Sequence, residues 1–167
     1  AFEAGIITDA AVAASIAQPR AFWAVRENIP LAQSTEGDNI KHDISVPISA
    51  IGDFVERTNA MLEQTFPGIR MVVFGHLGDG NLHYNVNAPE GAGGARFMAD
   101  EPAINAIVYD AVAQAGGSIS AEHGLGQLKV AENQHYKSAI ELSLMARLKA
   151  TFDPLGIMNP GKVLPET

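Results

Sequence analysis

Val73-Phe74-Gly75-His76-Leu77-Gly78-Asp79-Gly80-Asn81-Leu82-His83-Tyr84 reads as a strand, a tight turn and a second strand. Apolar residues lead into a Gly-Asp-Gly-Asn corner and apolar residues lead out, the pattern of a β-hairpin. Glycine takes φ > 0 without steric cost, which a sharp reversal requires. With Gly78 to Asn81 as the loop, Leu77 is expected to face Leu82 and His76 to face His83. Directly opposed residues of an antiparallel pair share one face, with Cβ atoms about 5 Å apart. Two imidazoles so arranged can share one metal ion. A second stretch, Ala121-Glu122-His123-Gly124-Leu125-Gly126, offers a carboxylate and another imidazole.

Outward from the hairpin strands (70–76 and 81–86), the pattern alternates between helix and strand. Upstream, residues 48–66 carry Ile48, Ile51, Val55, Met61, Leu62 and Phe66 at helical spacing, and Pro67-Gly68 ends that helix. Before it, Ile40, His42, Ile44 and Val46 alternate with Lys41, Asp43 and Ser45, which predicts a strand with Lys41 pointing away from the Ile44–Val46 face. Downstream, residues 87–94 read as a loop. Residues 102–115 read as a helix with Ile104, Ile107, Val108, Ala111 and Val112 inward, stopped by Gly116-Gly117. Residues 118–121 read as a short strand. The order strand, helix, strand, strand, helix, strand is the split βαβ plan of a ferredoxin-like antiparallel sheet, an α+β fold with helices on one face. The other sheet face is left free and needs a covering layer if it is apolar or functional.

Helices are expected at both ends. Thr8-Asp9 can cap an Ala-rich helix through Ala17, and Pro19 suits the first turn of a second helix to Ile29. Phe22, Val25, Arg26 and Ile29 share a face of that second helix. Residues 33–39 read as a loop. Helices are expected over 128–136 and 140–152, ended by Asp153-Pro154-Leu155-Gly156, and Asn159-Pro160-Gly161-Lys162 cannot extend them.

With 167 residues, 47% hydrophobic and 18% charged, the chain suits one globular, soluble domain with a real core. No apolar run reaches the roughly 18 residues of a membrane span. The net charge of −8 disfavours nonspecific nucleic-acid binding. The absence of cysteine excludes disulfides and thiolate metal sites. No signal peptide is evident, and the cytoplasm is the default compartment. The start, Ala1-Phe2-Glu3-Ala4, reads as the middle of a longer polypeptide or the scar of a tag.

Two neutral imidazoles and one carboxylate describe a catalytic metal site with an open position. His76, His83 and Glu122 are the candidates, with zinc first by ligand type and iron(II) or manganese also suited. The alternative is two histidines on a hairpin with no metal. His123 suits a general base, since its ordinary pKa lies near neutrality, or is an ordinary loop histidine. In an extended segment Glu122 and His123 would face opposite sides, unless the Gly124 turn relaxes this. Arg26 by pattern alone is a snorkelling side chain, Lys41 a solvated strand lysine, and Asn81 turn chemistry or a ligand contact. Asp79 reads as turn, and His42 and His135 have no identifiable partner. There is no phosphate-binding G-x-x-x-x-G-K-[ST] loop and no Ser-His-Asp triad that can be assembled.

Three motifs carry a resemblance. Residues 74–83 (FGHLGDGNLH), 122–126 (EHGLG) and 153–162 (DPLGIMNPGK), in this order, resemble the C-terminal domain of the FAD-linked oxidases. That family includes D-lactate dehydrogenases, glycolate oxidase large subunits and D-2-hydroxyglutarate dehydrogenases. Arg26-Glu27-Asn28-Ile29 and residues 41–47 (KHDISVP) are most similar to the D-2-hydroxyglutarate dehydrogenase branch.

The resemblance implies that residues 1–167 form a substrate or cap domain, with an N-terminal FAD-binding domain that this chain lacks, on the same polypeptide or a partner chain. It implies an FAD-dependent oxidoreductase that oxidises a 2-hydroxy acid to the 2-oxo acid by hydride transfer to flavin. A downstream electron acceptor, with a membrane surface as the alternative to the cytoplasm, and a homodimer would be its further partners; alone, the chain should be inactive. By motif position, His76, His83 and Glu122 match the metal ligands, usually zinc, and His123 the base. Arg26 and Lys41 match carboxylate binders, Asn81 a further substrate contact, and Asn159 lies in a tail returning toward the flavin domain. Pro30 departs from the pattern, because relatives that bind a second carboxylate often carry a hydroxyl four positions after the arginine. Two alternatives stand beside this reading: a member oxidising D-lactate or glycolate, and a non-catalytic ferredoxin-like module that binds a metal or ligand.

Overall fold

The computed structural model describes residues 2–91 and 94–166. They fall into two compact units, Ala1–Asp38 and Asn39–Thr167. The first unit holds α1 (Ala17–Glu27) and α2 (Ile29–Ser34). The predicted Ala-rich helix over 8–17 does not form; the chain there is irregular and exposed, and α1 starts at Ala17. A short helix with no packed face cannot offset its own nucleation cost. No residue of α1 is buried, so the Phe22–Val25 stripe is open within this unit. Part of the predicted 33–39 loop belongs instead to α2, whose first turn takes Pro30 without losing an intrahelical hydrogen bond.

The second unit holds β1 (Asn39–Ser45), a 3-10 turn at Ile48–Ala50, α3 (Ile51–Thr65), β2 (Arg70–His76), β3 (Asn81–Asn87), α4 (Gly94–Ala99), α5 (Glu101–Gln114), α6 (Val130–Tyr136) and α7 (Ala139–Phe152). Residues 92–93 of the predicted 87–94 loop lie outside the described residues. The strands form an antiparallel sheet in the order β1-β3-β2. The predicted fourth strand is reduced to one bridge, Ser45 with Ser118, on the open side of β1. That is the sheet position the split βαβ plan assigns to it. Gly117 permits the approach, since a Cβ there would sit 2.1 Å from the Ser45 carbonyl oxygen. Beyond Ser118 the backbone bends away, because its next amides bond a side chain instead of a strand.

The β1 alternation is realised as read. Ile40, His42, Ile44 and Val46 are all buried, and with Leu82, Tyr84 and Val86 of β3 they meet Phe54 and Leu62 of α3 and Ile104, Val108 and Val112 of α5. Each such aliphatic side chain contributes about 1.5–3 kcal/mol on full burial. The α3 stripe differs from expectation: Phe54, Thr58 and Leu62 are its buried residues, while Ile48 and Met61 are exposed. Four-residue spacing from Phe54 follows the face turned to Tyr84, whose ring meets Phe54 edge-on at 5.9 Å.

Within this core His42 is 1% exposed. Its Nδ1 lies 2.8 Å from the Tyr84 carbonyl oxygen and its Nε2 2.8 Å from the Asn105 side chain. Burial pushes its pKa down to about 4, and the two hydrogen bonds only partly counter that.

Candidate functional site

The opposite face of the sheet, turned away from α3 and α5, is polar. Strand register sets it out in rows: Ser45, Asn81 and His76; Asp43, His83 and Phe74; Lys41, Asn85 and Val72; Asn39, Asn87 and Arg70. Because side chains alternate along a strand, all twelve share one side. Asp43, Asn81, Asn85 and Asn87 are buried on it, whereas Lys41 and His76 are exposed.

The hairpin register differs from expectation. His76 opposes Asn81, and His83 opposes Phe74, because the loop is residues 77–80. Gly80 decides this. It takes φ +78°, its carbonyl accepts from the Val46 amide at 3.0 Å, and a Cβ on it would lie 2.1 Å from the Val46 carbonyl oxygen. The Asp79 carboxylate then accepts the Asn81 amide at 3.0 Å and starts β3 there. His76 and His83 are therefore diagonal neighbours, typically about 7–8 Å apart at Cα, and still on one face.

The segment after Ser118 reaches the same face. Its amides at Ala121, Glu122 and His123 all turn onto the Asp43 carboxylate, at 3.1, 3.0 and 2.9 Å from Oδ2. Burial alone would raise the Asp43 pKa, but these amides and the nearby His123 outweigh it and hold it below the ordinary carboxylate value. Since 119–123 is a bend and not a strand, Glu122 and His123 do not alternate. Glu122 meets the first row: its Oε1 accepts from the Asn81 side-chain amide and lies 3.4 Å from His76 Nδ1. His123 meets the second: its ring is 5.9 Å from that of His83, and its Nδ1 is 4.0 Å from Asp43 Oδ2. The half-buried Lys129, donating to the Ile119 carbonyl at 2.7 Å over the Tyr109 ring, holds the start of the bend.

The sequence-predicted residues thus gather unevenly. His76, His83, Glu122, His123, Asn81 and Lys41 share the polar face. Arg26 is in the last turn of α1 and belongs to the first unit. Asn159 is exposed in the tail after α7, at φ +49°, a left-handed conformation that asparagine tolerates better than most residues. Asn81, expected as a substrate contact or turn residue, holds Glu122; its other amide atom, Oδ1, is buried with no hydrogen-bond partner. Asp43 and Asn85 escaped the sequence reading. Their positions in the β1 and β3 alternation place them on the polar side, and that parity was the available signal.

A metal ion fits part of this arrangement. His76 and Glu122 converge, His83 is the next residue on the same side of β3, and the unpaired Asn81 oxygen marks a polar point without a protein partner. Asp43, His83 and His123 also offer ligand atoms within 4.8 Å of one another. Asp43 is the weak member of that group, because its Oδ2 already accepts three backbone amides.

The antiparallel sheet thus has one helical face and one face of histidine, carboxylate, lysine and asparagine. The chain belongs to the family of FAD linked oxidases, C-terminal domain, whose model matches residues 1–163. It is 39% identical over 163 residues to a D-2-hydroxyglutarate dehydrogenase of Xanthomonas citri pv. viticola, covering 96% of this chain and 34% of the relative. The mitochondrial D-2-hydroxyglutarate dehydrogenase of Arabidopsis thaliana is 38% identical over 165 residues, 99% of this chain and 28% of the relative. That of Bos taurus is 40% identical over 164 residues, 98% of this chain and 29% of the relative. The chain spans about a third of the length of the curated relatives it matches.

Proposed function

We propose that this chain is the substrate-binding domain of an FAD-dependent D-2-hydroxy-acid dehydrogenase acting on a D-2-hydroxyglutarate-like dicarboxylate. The observation that carries the reading is the convergence of His76, His83, Glu122 and His123 with Lys41 on the polar sheet face. Its rows are also spaced for such a substrate. Lys41 and Asn85 stand opposite each other two residues along from His83, roughly 6.6 Å at the strand rise. That is close to the span between the two ends of a five-carbon diacid.

In this reading His123, beside His83 on the polar face, accepts the proton of the substrate hydroxyl. Lys41 holds the far carboxylate as a point charge, and Asn85 offers it an amide donor. By motif position, Arg26 is a further candidate to hold a substrate carboxylate as a fork. His76, His83 and Glu122 would hold a divalent ion, zinc by ligand type, and Asn81 keeps the Glu122 carboxylate turned toward it. When bound, that ion supplies Lewis acidity and orients the hydroxyl and its neighbouring carboxylate. FAD, held mainly by a flavin-binding domain of the same or a partner chain, supplies the acceptor for two electrons and the C2 hydrogen.

Pro30 favours a second reading, a member oxidising D-lactate or glycolate. Pro30 stands in the first turn of α2, where the resemblance implies a hydroxyl for a second carboxylate. The test is dye reduction by the full-length parent protein with D-2-hydroxyglutarate, D-lactate and glycolate side by side. The proposal expects a strong preference for D-2-hydroxyglutarate. A preference for a monocarboxylate moves the protein to the second reading, and no reduction with any of them in a flavin- and metal-loaded preparation overturns both.

A further inference from the structure

We infer that Asp43 is a positioning residue, whose buried carboxylate shapes the Ala121–His123 backbone so that Glu122 and His123 both face the polar sheet surface; its bearing on turnover rests on the base role given to His123. Asp43 lies in the middle of β1, directly opposite His83, and is 4% exposed. A carboxylate buried at that depth is costly unless its lone pairs are filled. They are filled from one source. Oδ2 accepts the amides of Ala121, Glu122 and His123, with the Ser120 hydroxyl at 3.4 Å, and Oδ1 shares the Glu122 amide at 3.2 Å.

Three consecutive amides aimed at one oxygen cannot also bond a strand neighbour. That explains why the fourth strand stops after one bridge. It also explains how two adjacent side chains, which an extended segment would send to opposite faces, come to the same one. The carboxylate acts through the backbone: at 4.0 Å, Oδ2 is too far from His123 Nδ1 for a hydrogen bond. For the same reason Asp43 serves poorly as a metal ligand, since an ion near His123 would have to displace amides from Oδ2.

The test uses the full-length parent protein with Asp43→Asn, and with Asp43→Ser as a second variant should the asparagine amide not be accommodated. Hydrogen exchange over 119–125 reads the anchor without reference to activity. Its amides should exchange at least about tenfold faster in the variant, the worth of one lost hydrogen bond, with the β1–β3 ladder unchanged. Unaltered exchange over 119–125 overturns the inference whatever the enzyme does. Turnover should fall by about 10²-fold with KM nearly constant, the cost expected of a misplaced catalytic group. In a His123→Ala background, with metal loaded to the wild-type level, the same Asp43 substitution should cost clearly less than in the wild type, because the share of its effect that passes through His123 is already lost. Losses that multiply would show a general structural role and overturn the positioning claim. If His123→Ala alone leaves the rate intact, the base assignment fails, while the exchange result still decides whether Asp43 builds the bend.

Discussion

Acidification should weaken this fold through a buried histidine. His42 is buried and neutral, with a pKa of about 4 against 6.5 for a free histidine. Between those values the unfolded chain binds a proton that the folded chain refuses. Stability therefore rises with pH across this window and is lost as pH falls from about 6.5 toward 4. The difference of about 2.5 units amounts to about 3 kcal/mol by pH 4. That is a large share of the total for a domain of this size. The strand affected is β1, which carries Lys41 and Asp43 on its other side. The comparison that isolates the effect is wild type against His42→Phe in the full-length protein, by urea unfolding followed with far-UV circular dichroism. Phenylalanine keeps a ring but neither titrates nor bonds Tyr84 and Asn105. At pH 7 the variant should be less stable by about 1–3 kcal/mol, the cost of the abandoned buried partners. The gap should then close by about 3 kcal/mol by pH 4. A gap that stays constant from pH 7 to pH 4 would refute the reasoning.

Three further outcomes follow from the geometry. Gly80→Ala puts a side chain at φ +78° and against the Val46 carbonyl, so left-handed strain and a lost hydrogen bond should together cost about 2–4 kcal/mol; an unchanged urea midpoint contradicts it. Lys41→Met should raise KM for a dicarboxylate by roughly 10- to 100-fold, the worth of a charge-assisted hydrogen bond, and leave KM for D-lactate within a few fold; equal effects on both would remove Lys41 from the far carboxylate. A chelator should abolish dye reduction without altering flavin absorbance, with recovery on adding back a divalent ion; full activity in a metal-depleted sample would dismiss the His76, His83 and Glu122 site.

Much of the polar face was legible in the sequence because strand parity is robust. The β1 alternation separated Lys41, Asp43 and Ser45 from the core side by period alone. The hairpin register was misjudged by two positions, and the consequence was mild. A slip of two keeps His76 and His83 on one face, whereas a slip of one would have sent them to opposite faces. Gly78 and Gly80 both tolerate a turn, and what chooses between them is the Val46 amide, some thirty-five residues away in the chain. Asp43 was invisible for the same kind of reason. Its three amide partners come from 121–123, and nothing local in residues 41–47 announces them. His42 likewise found its partners only through tertiary packing on Tyr84 and Asn105.

The most direct measurement is turnover of D-2-hydroxyglutarate by the full-length protein with His123→Ala, loaded with flavin and metal to the wild-type level. The account predicts a loss of about 10² to 10⁴ in rate, the usual worth of a positioned general base. A rate close to wild type would contradict it, and the polar face would then need another explanation for bringing His123 beside His83.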